Sequence, residues 1–293
     1  MRLRRVAWNG IALSVPGDWE LSRMAPRHLA WDTGSRPAME LRWNTIRGKF
    51  SFDRTLKRLW RGRARRNSAA MVTWDLPQHW TALMADHRMQ GFHWHTPQTA
   101  AQGVLLFCTV CSTATLIQIF HASAASAPRR SLWESIFLSF RDHWPDGRGL
   151  WQVYDIKARL PVRLGLDRFQ FQPGCFQLEF SSKTQRLRLY RWSPAAVLLG
   201  SGDLDDFARG QGVLGAGRGT PRYSLRDRRL DWTLAPASRL RLLPWRRASI
   251  YEQGRVWHLK GANRILGMVL QGKKEVNPAE FDRWAAEYVL APA

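Results

Sequence analysis

At 293 residues, 45% of them hydrophobic, the chain has room for two domains with a core each and is too apolar to be a disordered one. Its 45 lysines and arginines against 23 acidic residues leave a net charge of +22, an excess that creates a long-range field for anions. The three cysteines, Cys108, Cys111 and Cys175, exclude an even disulfide framework and point to a reducing, cytoplasmic compartment.

Of the basic residues 38 are arginine and only seven lysine. Two readings stand side by side: the codon usage of a G+C-rich genome, and selection for bidentate contacts to carboxylate or phosphate. The 16 tryptophans are expected mostly in cores, because an indole is costly to expose. The N-terminus starts with a charge but offers no apolar stretch of signal-peptide length before Pro16, so export is not expected.

Along the chain, Ile11 to Pro16 reads as part of an opening strand pair, and Leu29 to Asn44 as a second pair. Phe52, Leu56, Leu59 and Trp60 then recur at helical spacing behind Ser51, a candidate cap, with Gly62 weakening the far end. Thr96 to Pro128 carries no charged side chain, and Val104 to Phe120 is apolar enough to raise a membrane span. That stretch is short for a bilayer and rich in Thr, Ser and Val, so it reads instead as a hairpin about Cys111-Ser112, with no membrane insertion. A helix follows with Trp133, Ile136, Phe137 and Phe140 on one face.

The order then starts again. Ile156 to Pro161 answers Ile11 to Pro16, and Leu178 to Ser193 lies without gaps over Leu29 to Asn44 at an offset of 149, which sets Trp192 on Trp43. Trp94, Gly103 and Trp133 answer Trp245, Gly254 and Trp284, all at an offset of 151. Pro194 starts a helix that Gly200 and Gly202 interrupt, with a second short helix at Leu204 to Ala208. Leu230, Trp232 and Leu234 alternate as a strand, as do Leu240 and Leu242, and a hairpin about Gly261-Ala-Asn263 precedes a closing helix with Phe281, Trp284 and Tyr288. The expected fold is α+β: two tandem copies, residues 1–146 and 150–293, of an antiparallel sheet packed with helices in an α/β/α sandwich-like arrangement.

In the opening Ile11-Ala-Leu-Ser-Val-Pro-Gly-Asp-Trp19, the passage from Leu41 to Trp60 and the closing Ile136-Phe-Leu-Ser-Phe-Arg141, each half resembles the superfamily of the photosystem II accessory protein PsbP, which includes DcrB-like proteins and a Ran-binding nuclear import factor. The resemblance implies a non-catalytic accessory or binding role and carries over no individual functional residue.

Candidate chemistry is sparse. Gly210-Gln-Gly212-Val-Leu-Gly215 spells a dinucleotide fingerprint but follows Asp205-Asp206-Phe-Ala-Arg209 rather than a buried strand, so it reads as a loop. Cys108-Thr-Val-Cys111 has metal or redox spacing with His93, His95 and His121 nearby in sequence. A strand puts residues three apart on opposite faces, so chelation requires a turn, and buried thiols with no metal are expected. No catalytic motif is present, and neither an enzyme nor a cofactor is expected.

The segment Arg54 to Arg66 holds seven basic residues and no acidic one; Arg54, Arg58, Arg61 and Arg65 form one helical stripe, with Lys57 beside it. It reads either as a contact for a polyanion or as a solvated face, paired in the extreme with Asp203, Asp205 and Asp206. Arg239, Arg241, Trp245, Arg246 and Arg247 form a second basic and aromatic cluster, suited to a protein interface or to stacking on bases. These residues are the candidate binding set. The function expected is docking on an acidic protein or another polyanion, with nucleic-acid binding as the alternative and an enzyme of unknown type third.

Overall fold

The computed structural model describes residues 2–64, 70–96, 99–121, 130–214, 222–226, 228–235 and 250–291. The chain divides into two compact units, Met1–Asp146 and Gly147–Ala293. The fold class is α+β, with antiparallel sheet the larger part.

The first unit opens on a hairpin of β1 (Leu3–Trp8) and β2 (Ile11–Pro16), turned at Asn9 and Gly10, both with positive φ. Next come β3 (Glu20–Ala25), β4 (His28–Thr33), β5 (Arg36–Thr45), α1 (Phe52–Ala64), β6 (Ala70–Trp74) and α2 (Gln78–Leu83). The unit is completed by β7 (His87–His95), β8 (Ala100–Cys108), β9 (Thr113–His121) and α3 (Arg130–Leu138). Its seven-stranded sheet runs β3-β4-β5-β9-β8-β7-β6. The stretch that raised a membrane reading is the β8-β9 pair, in the middle of this sheet.

The helical spacing of α1 does what it predicts: Leu56 is buried, and Phe52, Leu59 and Trp60 pack with it on Phe92, Trp94, Leu105 and Leu116 of the sheet. Helix α3 packs on β2. Just beyond it, Arg141 exchanges two backbone hydrogen bonds of 2.8 Å with Ala12 of β2, which fixes where Asp142 and His143 leave the helix.

The second unit opens on the hairpin of β10 (Arg148–Val153) and β11 (Ile156–Pro161). It continues with β12 (Gly165–Gln172), β13 (Cys175–Ser181), β14 (Gln185–Trp192), α4 (Ala195–Leu199) and α5 (Leu204–Gly210). After these come β15 (Arg222–Arg226), β16 (Arg229–Leu234), β17 (Tyr251–Leu259), β18 (Arg264–Gly272), α6 (Pro278–Glu287) and β19 (Val289–Leu290). The sheet runs β12-β13-β14-β18-β17-β16-β15, α6 packs on β11, and β19 adds to the free edge of β11. As Gly200 and Gly202 suggested, α4 and α5 are separate short helices; they cover a core of Tyr190, Trp192, Phe207, Trp232 and Val256.

Strand register corrects part of the expected repeat. Trp31 pairs with Met39 across β4-β5, past a bulge, whereas Phe180 pairs with Leu187 across β13-β14. The connection in the first unit is therefore one residue longer, and the ungapped comparison slips by one beyond it. The slip exchanges faces, because side chains alternate along a strand. Trp43 donates its indole N–H to the Asn9 carbonyl in the β1-β2 turn at 3.2 Å, while Trp192 lies in the core beneath α4 and α5. Trp43 and Trp192 are thus not counterparts. Trp245, like the strand expected at Leu240 and Leu242, lies outside the described residues.

Candidate functional site

The basic stripe stands on α1 because the opposite side of that helix is committed to the sheet. Arg54, Lys57, Arg58 and Arg61 are all exposed, and among the described residues none of them forms an ion pair. Arg65 lies outside the described residues, as do Arg239, Arg241, Trp245, Arg246 and Arg247. The structure thus brings four members of the expected binding set together on one helix.

Several arginines elsewhere are matched by carboxylates. In the second unit Arg148 pairs with Glu287, Arg163 with Glu280 at 2.8 Å, and Arg191 with Asp155. Arg255 bridges Asp231 and Asp282, each at 2.6 Å. The aspartates considered as partners for the stripe have local uses: Asp203 caps α5 by accepting from the amides of Asp205 and Asp206, and Asp205 pairs with Arg209 at 2.8 Å. The glycine string is also settled locally, since Gly210 ends α5 and no strand leads into it; Gly215 lies outside the described residues.

The structure assembles a second constellation, around the Cys108 and Cys111 pair. Strand β8 ends at Cys108, so Thr109 to Cys111 is a turn, and the objection that a strand would send the two cysteines to opposite faces does not hold. The turn is tied down by Thr109, whose amide and hydroxyl donate to the Asp86 carbonyl at 2.8 and 2.9 Å, and by Ser112 at φ 56°. His93, His95 and His121, the histidines near in sequence, are not the partners. Those are Asp142 and His143, delivered by the Ala12–Arg141 bridge after α3.

One ligand atom each from Cys108, Cys111, Asp142 and His143 lies within 4.8 Å of every other. Cys108 Sγ is 3.5 Å from His143 Nδ1, which is 2.9 Å from Asp142 Oδ1. Around these sits a further ring. His87 Nε2 is 3.1 Å from Asp142 Oδ2, and Asp86 Oδ2 is 3.6 Å from His143 Nε2. Burial raises the Asp142 carboxyl, but the hydrogen bonds from His87 and His143 outweigh it and hold the group below the ordinary carboxylate range. Burial pushes the Cys108 thiol up to about 12, although the amides of Val110 and Cys111 hydrogen-bond its sulfur and favour the thiolate. A fully buried thiol shifted upward is the opposite of an activated nucleophile, so the Cys-His-Asp grouping does not read as a catalytic triad.

No family model and no curated protein matches this chain. Among solved structures it is similar to one from Bacteroides thetaiotaomicron VPI-5482, at 12% identity over 54% of this chain and 53% of that one, with a TM-score of 0.29. The match spans about half of that protein and is too loose to carry an argument about fold or function. Among the described residues no helix is long and apolar enough to cross a membrane.

Proposed function

We propose that this chain is a cytoplasmic, non-catalytic accessory protein, built from two diverged PsbP-like copies of one α/β/α sandwich-like unit, that docks on an acidic protein surface through the basic face of α1. Several observations support the duplication. The two sheets follow the same strand order, and the closing helices α3 and α6 pack on the second strand of their opening hairpins, burying Trp133 and Trp284. Gly103 and Gly254, expected as counterparts, each sit opposite a large ring on the neighbouring strand, Phe92 and Trp232. The odd count of three cysteines supports the reducing compartment.

The observation that carries the docking role is the density of unpaired charge on one face of α1. Arg54, Lys57, Arg58 and Arg61, four consecutive cations of one helix face, are all exposed and none has a carboxylate partner among the described residues. Like charges at spacings of three and four destabilise a helix, and packing on the sheet does not require them. An external anion removes that repulsion.

The test is the double reversal Arg58→Glu with Arg61→Glu in the full chain, read by binding to a fluorescent polyglutamate probe and by thermal melting. Affinity is expected to fall by about tenfold or more, with the melting temperature moving by no more than about 2–4 °C. Unchanged affinity would remove the docking role. Nucleic acid is the alternative ligand: tighter binding of a duplex than of polyglutamate, with log K falling by about 0.9 per log unit of salt for each phosphate contacted, would replace the acidic protein in this reading.

A further inference from the structure

We infer that Cys108, Cys111, Asp142 and His143 form a zinc site that locks the β8-β9 turn to the segment following α3. Two sulfurs, an imidazole nitrogen and a carboxylate oxygen make a closed four-ligand set, the composition that suits zinc rather than magnesium or calcium, which take oxygen donors. Four protein donors leave no open position, so the site is structural.

The geometry supports this assignment independently of the residue types. With Zn–S at about 2.3 Å and Zn–N at about 2.0 Å, tetrahedral bonds place sulfur and nitrogen about 3.5 Å apart. Cys108 Sγ and His143 Nδ1 are separated by 3.5 Å. The second ring is the one that metal ligands carry. His143 turns Nδ1 to the cluster and Nε2 toward the Asp86 carboxylate, while the second oxygen of Asp142 is held by His87. The four residues come from two places far apart in sequence, and β8 and β2 hold each place by backbone bonds that do not depend on the metal. Zinc adds a cross-link between them, stabilising the first unit without being needed for its sheet.

The experiment uses the full chain purified under reducing conditions without chelator. Elemental analysis is expected to find about one equivalent of zinc, retained in Cys175→Ser and lost in Cys108→Ser and in His143→Ala. Because a ligand variant can lose metal by failing to fold, wild-type protein is also stripped with a chelator and titrated with cobalt(II). The expected result is the intense visible spectrum of tetrahedral cobalt, with a sulfur-to-cobalt charge-transfer band, saturating at one equivalent and abolished by zinc. Substoichiometric zinc together with the weak spectrum of octahedral cobalt in the wild-type protein would overturn the site. So would a full equivalent of zinc surviving Cys108→Ser with Cys111→Ser, or a Cys108–Cys111 disulfide in the protein as isolated.

Discussion

Single residues in this protein are legible from sequence when their chemistry leaves no substitute. Gly103 and Gly254 are of that kind: an added Cβ would lie 2.2 Å from the Phe92 ring in one case and 2.0 Å from the Trp232 ring in the other. Neither strand can move away, because both are paired on each side. Gly103→Ala and Gly254→Ala are each expected to cost about 1–3 kcal/mol by overpacking, which lowers the melting temperature by several degrees. Gly103→Ala combined with Phe92→Leu should recover part of the loss. Calorimetry showing no change for either single variant would mean that the rings are free to swing aside. Trp43 and Trp192 show the opposite case. Two identical residues at a shared offset suggested one position, and a single extra residue in the β4-β5 connection put them on different faces.

Elements are legible in proportion to how much core they bury. Helix α1, the β8-β9 hairpin and the closing helices announce themselves by period because one face of each is committed to packing. The edge strands β3 and β12 bury no side chain fully, so even the Phe169-Gln170-Phe171-Gln172 alternation of β12 marks no core position, and α2 buries only Trp80, which stacks on Phe137 at 4.9 Å. The start of α6 has a local signal that was available, Asn277 followed by Pro278. The Asn277 side chain accepts from the amides of Ala279 and Glu280 at 3.0 and 3.4 Å. Asn277→Ala should remove about 1 kcal/mol, seen as a drop of about 2–4 °C in the melting temperature, while Asn277→Ser should keep most of the stability. Equal melting of all three proteins would show that packing on β11 alone holds the helix. The Cys108/Cys111 spacing was equally visible. Its partners Asp142 and His143 were not, because only the backbone bridge between Arg141 and Ala12 brings them to the turn.

At the scale of the whole molecule the net charge of +22 gives a field but no address, since a field alone attracts anions to any basic surface. The address proposed is α1, and the scarcity of lysine makes it testable. The chain has seven lysines, Lys49, Lys57, Lys157, Lys183, Lys260, Lys273 and Lys274, and only Lys57 lies on that helix. A zero-length carbodiimide joins a lysine amine to a carboxylate in direct contact and leaves arginine untouched, so mass spectrometry of the full chain cross-linked to polyglutamate reads out where the acidic probe sits. The account predicts that Lys57 carries most of the adduct at moderate salt and loses it in the Arg58→Glu, Arg61→Glu variant. Adducts spread over Lys157, Lys183, Lys260, Lys273 and Lys274 with Lys57 unmodified would contradict it.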